Sequence, residues 1–196
     1  MSAAIVDPTP PSPALRVTPG RITVARAGLA LVWAAAIVVA VGNRVPTTDT
    51  DLPVAAAFLF SSYPLIDVVA SLVGSAFADR RALRINAAVS AVAAIGIAAA
   101  AFGSDAGSTL VAFGAWAAVS GAIQLGLALH RRRTLVGQLP MIVSGGLSTL
   151  AGLSFIAASQ SDEAQLANLA GYMVFGAVLY LVWARRSHAD PTVVEP

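Results

Sequence analysis

The chain contains no cysteine and no lysine, only two histidines, and few charges of either sign. Without cysteine there is no disulfide framework, no thiolate zinc site and no thiol nucleophile, and the redox compartment stays open. Two histidines without a cluster of acidic ligands do not make a metal site either. Charged residues are 11% of the 196, less than half of the roughly 25% found in average soluble domains. That is too little charge to wet an ordinary globular surface. Hydrophobic residues reach 57% and mean hydropathy is +0.78, which also excludes a disordered chain. The length fits a single domain.

Residues 1–20 read as a polar cytoplasmic tail in which Pro8, Pro10, Pro11, Pro13 and Pro19 interrupt any regular element. It lacks the apolar core of a secretory signal and is expected to be disordered. Beyond it, charges divide the chain into apolar blocks at 27–43, 52–78, 85–104, 106–129, 134–161 and 164–184, of which only the second holds a charge, Asp67. About 20 helical residues cross a hydrocarbon core of about 30 Å, and lipid requires backbone groups to be paired internally. The blocks therefore predict an all-α integral membrane domain over 21–187, followed by a cytoplasmic tail over 188–196. Its six transmembrane helices fall at about 22–43, 53–78, 85–103, 107–129, 136–158 and 164–184. The first is long enough once it takes in residues 22–25, with Arg26 snorkelling toward the headgroups.

The arginines set an orientation. Arg16, Arg21 and Arg26 precede the first helix. Arg80, Arg81 and Arg84 join the second and third, and Arg131, Arg132 and Arg133 join the fourth and fifth. Arg185 and Arg186 follow the sixth. In a six-crossing chain all of these lie on one side and only Arg44 on the other, where Asp49, Asp51, Asp105, Asp162 and Glu163 fall. Basic loops stay cytoplasmic, so both termini are expected there. The arginines then serve topology rather than nucleic acid, despite a pI of 9.7.

The even helices share a stripe at steps of four, which keeps residues on one helical face. The second reads Tyr63, Asp67, Ser71; the fourth Trp116, Ser120, Gln124; the sixth Tyr172, Gly176, Tyr180. The odd helices match in the same way, with Asn86, Ser90, Ala94 against Ser144, Ser148, Gly152. These correspondences predict three helical hairpins related as parallel repeats about the membrane normal. Small residues at this spacing let helices approach closely, and Gly114, Gly121, Gly126, Gly145 and Gly146 are assigned to packing. They follow no phosphate-loop spacing.

The stretch GAWAAVSGAIQLGLALHRRR, followed by GQLPMIVSGGLSTLAGLSF, resembles the repeat unit of the HdeD-like acid-resistance membrane proteins. SSYPLIDVVASLVG and AGYMVFGAVLYLVWARR resemble further copies of its even helix. The resemblance covers roughly residues 25–187. Helix 3 departs with Ala87 and Ala88 where helix 5 has Gly145 and Gly146, and helix 6 has Gly176 in the acidic or serine position. The resemblance implies a six-helix, non-enzymatic, stress-associated membrane protein and brings no catalytic residue with it.

Asp67 is the residue most able to carry chemistry. At about 1.5 Å per residue it lies roughly 20 Å from Arg80 and about 24 Å from Asp51, near mid-membrane. An ionised carboxylate there costs about 3 kcal/mol or more, so it is expected to be protonated, paired, or facing water. The same count brings Ser120, Ser148, Thr149 and Tyr172 near its level, with Gln124 and Ser90 in a second layer toward the cytoplasm. This cluster is either a proton-responsive interior or a neutral carboxyl bonding helices together. His130 and His188, beside arginines at helix ends, read as interfacial residues. No serine lies near either at membrane depth, so an intramembrane hydrolase lacks its base.

The expected function is a multi-pass cell-membrane protein without catalytic activity or cofactor, contributing to stress or acid tolerance. The alternative is a small proton-linked transporter or channel using Asp67, and a third is an assembly subunit. The lipid bilayer is the expected partner, with a homo-oligomer or another membrane partner left open. Abundant alanine, and arginine without lysine, suggest a bacterial source.

Overall fold

A computed structural model describes residues 19–42, 45, 47–77, 80–132, 138–163 and 166–189. The expectations for Arg16, Arg44 and Arg133, and for nearly all of the N-terminal tail and most of the C-terminal one, lie outside these residues. Among the described residues every regular element is a helix: α1 (Pro19–Val41), α2 (Val54–Gly74), α3 (Arg80–Gly103), α4 (Ala106–Arg131), α5 (Leu139–Ala158) and α6 (Ala167–Ala189). All six are long and apolar enough to cross a membrane. Over the described residues the chain is all-helical, and it is a multi-pass membrane protein.

Arginine ends an apolar block without ending a helix, because it is itself a good helix former. Accordingly α3 begins at Arg80, five residues before its block, and α6 continues past Arg185 and Arg186. At α2 the reverse holds. The apolar run continues to Phe77, but Gly74 and Ser75 tighten the last turn, with the Ser75 hydroxyl donating to the Leu72 carbonyl at 2.7 Å. At the end of α1, Gly42 takes a left-handed conformation (φ 47°) and its N–H closes on the Val38 carbonyl. Pro64 lies inside α2, a position tolerated in membrane helices.

The helices form a closed ring in chain order, each packing on the next and α6 returning against α1. The closest approach is between α4 and α5. A Cβ on Gly114 would meet the Gly152 carbonyl oxygen at 2.6 Å, and one on Gly145 would meet the Leu125 nitrogen at 2.6 Å. Gly121 belongs to the same seam, but Gly126 and Gly146 have nothing within 4 Å. The packing role expected for those two is therefore corrected: they face away from the crossing, one helical step off the seam.

Large apolar side chains turn outward on every helix, with Val39 at 79% and Val54 at 75% exposure. This inverted surface is what lipid stabilises and water does not. Inside the ring, Phe60, Tyr63, Phe113, Trp116, Phe155 and Tyr172 form an aromatic knot centred on Phe113, with ring centroids 5.2–6.4 Å apart.

Beyond the knot, the connections on the side opposite the arginine clusters are laced together. Gly107 N–H donates to the Thr48 carbonyl at 2.8 Å and Ala106 N–H to that of Thr50 at 3.0 Å. The Thr48 hydroxyl donates to the Ser161 carbonyl at 2.8 Å. Knot and lacing close the ring at that end.

Candidate functional site

The polar side chains of the interior gather on the arginine side of the aromatic knot, around Asp67. Its residue is 2% exposed. Oδ2 accepts from Asn86 Nδ2 at 2.7 Å, from the Ser90 hydroxyl at 2.7 Å and from the Ser120 hydroxyl at 3.3 Å. Oδ1 faces the Arg26 guanidinium in an ion pair. Every one of these contacts comes from a group able to donate. Of the three outcomes expected for Asp67, pairing is the one observed.

The headgroup position expected for Arg26 is corrected by the structure. It lies seven residues inside α1, about 10 Å from the helix start. From there its side chain turns inward to Asp67 and lies over the Tyr180 ring, 4.6 Å from the centroid. An arginine at that depth needs a counter-charge or water, and Asp67 on the facing helix supplies the counter-charge. Tyr180 is held in turn by its hydroxyl, which donates to Gln124 Oε1 at 2.7 Å.

The network extends on both sides. Asn86 Nδ2 also donates to the Ser71 hydroxyl at 2.9 Å, and its Oδ1 lies 3.1 Å from the Ser120 hydroxyl, whose single hydrogen goes either there or to Asp67. Trp116 Nε1 donates to the Ser90 hydroxyl at 3.0 Å, tying the knot to the carboxylate. Beside the ion pair is a cavity of about 40 Å³, bounded by Arg26, Asp67, Ser120, Gln124, Ser148 and Tyr172 among others. A water needs about 10–15 Å³ on this measure, so the space has room for about three. The Tyr172 hydroxyl donates to that of Ser148 across its wall at 3.2 Å.

Of the expected cluster, Asp67, Ser90 and Ser120 bond directly, while Gln124, Ser148 and Tyr172 line the cavity. Ser90 is therefore a direct ligand of Asp67 rather than part of a second layer. A count of depth along separate helices does not say which side chains face one another, and Ser90 of α3 faces Asp67. Thr149 is not brought in. It sits one residue, about 100°, around the helix from Ser148, and its hydroxyl donates to the Gly145 carbonyl of its own helix at 2.9 Å.

Arg26, Asn86 and Tyr180 were not in the cluster. Asn86 and Tyr180 stood in the stripes at steps of four, and that signal was sufficient to find them. His130 is exposed at the end of α4. Among the described residues no group of acidic or histidine side chains could hold a metal ion. No family model, curated protein or solved structure matches the chain.

Proposed function

We propose that this chain lies in the cytoplasmic membrane of a bacterium with both termini inside, and that it contributes to acid or stress tolerance without catalysing a reaction. The distribution of arginines supports the orientation. The stripes on α2, α4 and α6, which all turn to one interior, support three hairpins of a common design. The resemblance to the HdeD-like family supports the stress role.

The observation that carries the reading is the Arg26–Asp67 pair beside a hydroxyl-lined cavity. A titratable carboxylate held against a permanent cation alters its surroundings when a proton arrives. Around it are amides and hydroxyls that donate to the carboxylate. The test is a deletion strain complemented with the wild-type chain or with D67N. The wild type is expected to restore survival in acid, and D67N, present in the membrane at equal level, is not. Unchanged survival of the deletion strain under acid and envelope stress overturns the proposal.

The cavity favours a second reading, a small proton-linked transporter or channel in which Asp67 is the titrating group. Proton movement into proteoliposomes is then expected to be lost in D67N. Flux equal to that of the wild type rejects it.

A further inference from the structure

We propose that the cavity beside Arg26 is a binding site for a small monovalent anion, of formate size or less, which enters together with a proton on Asp67. This rests on the proton-linked reading and names what would travel with the proton.

The argument begins with charge. The cavity wall carries one permanent cation, Arg26, and one acid, Asp67. The other titratable groups facing them are Tyr63 of α2 and Tyr172 and Tyr180 of α6. From α3, α4 and α5 come only amides, hydroxyls and the Trp116 indole. While Asp67 is ionised the interior is neutral, and its carboxylate occupies the guanidinium and repels a second anion.

A proton on Asp67 removes that balance. Arginine cannot shed its own proton, so a positive charge is left without a counter-ion inside the helix ring, beside only a small cavity, where an unpaired ion is disfavoured. The group that restores neutrality is an anion. Donors able to receive it line the same cavity: the guanidinium that the protonated carboxyl no longer holds, the hydroxyls of Ser120 and Ser148, and the Gln124 amide, whose contact with the Met141 carbonyl is long at 3.4 Å. The hydroxyls can rotate toward a new acceptor without moving backbone.

Size sets the rest of the selectivity. A space of about 40 Å³ takes a chloride or a three-atom carboxylate. The aromatic knot and the laced loops block extension away from the arginine side. Access is past the guanidinium, since a quarter of the Arg26 side chain is exposed while Asp67 is sealed. Binding of proton and anion must then be reciprocal, each raising the affinity for the other by the same factor.

The test uses the purified full chain in detergent, titrated calorimetrically with sodium formate, chloride or sulfate over a range of pH. A dye in weak buffer reads proton uptake. Formate and chloride affinity is expected to rise by up to tenfold per unit fall in pH and then level off, with about one proton taken up per anion bound. Sulfate is expected to show no binding.

D67N should bind formate at all pH values without taking up a proton, and the double variant R26Q/D67N, which has no charge to balance, should not bind it. If D67N does not fold, the wild type's melting temperature is the second readout, and it should rise with formate only at low pH. Wild-type binding that ignores pH, binding retained in R26Q/D67N, or a folded D67N that does not bind overturns the proposal. Proton movement in proteoliposomes that depends on Asp67, with no anion bound, rejects this site and leaves the transport reading. Anion binding as described, with proton movement unaltered in D67N, rejects transport and leaves the site.

Discussion

Arg26 and Asp67 each lie seven residues inside the arginine-side end of their helices, and at that shared depth their side chains meet in an ion pair. The carboxylate is the sealed partner, at 3% side-chain exposure, against 26% for the arginine.

Removing one partner of such a pair leaves the other unbalanced. R26Q and D67N are each expected to destabilise the folded protein by about 3–5 kcal/mol, because Asn86, Ser90 and Ser120 cannot neutralise a charge. R26Q/D67N should recover most of that loss, since a neutral pair is often no worse than a charged one. Unfolding in detergent of the four proteins forms a double-mutant cycle. A coupling near zero would mean that the two charges do not depend on one another.

Tyr180 serves Arg26 with its ring and Gln124 with its hydroxyl. Y180F keeps the ring and should cost about 1 kcal/mol, the worth of one hydrogen bond. Y180L removes the cation–π contact as well and should cost about 1–2 kcal/mol more. If both variants melt together, the guanidinium does not draw on the ring.

Much of this interior could be read before any coordinates. Charge spacing defined six spans, and steps of four put Tyr63, Asp67, Trp116, Ser120, Gln124, Tyr172 and Tyr180 on faces that do converge. The partner of Asp67 was not legible. Arg26 follows Arg16 and Arg21, and along a single chain an arginine near a helix end looks the same whether it climbs to the headgroups or turns inward. The decision depends on a carboxylate 41 positions away. The lacing of Thr48 to Gly107 and Ser161 was hidden for a related reason. It links loops distant in sequence, and apart from the Thr48 hydroxyl it does so through backbone groups, which leave no mark in residue type. Thr149 failed in the opposite sense, because depth alone says nothing about facing.

The α4–α5 seam separates glycines that packing requires from those it does not. In G114A the new methyl would stand 2.6 Å from the Gly152 carbonyl, and backbone cannot give way as a side chain can. A loss of about 1–3 kcal/mol is expected. G126A and G146A, with nothing within 4 Å, should be neutral or gain up to about 1 kcal/mol from helix propensity. Equal effects at Gly114 and Gly126 in detergent unfolding would contradict the seam.

Asp105 offers a pH-dependent test outside the membrane spans. It caps α4, accepting the Ser108 N–H at 2.7 Å, and this bond holds its carboxyl below the ordinary value of 3.8. The folded state therefore binds the proton less readily than the unfolded one. The resulting stability is complete above about pH 4 and fades as pH falls through the lowered folded value. D105A should cost about 1 kcal/mol near neutrality. D105N, which keeps an acceptor, should cost less. The gap in melting temperature between wild type and D105A should narrow steadily as the solution is acidified below the ordinary carboxyl range. A gap that stays constant to the lowest pH at which the protein folds would show that the cap acts through its shape rather than its charge.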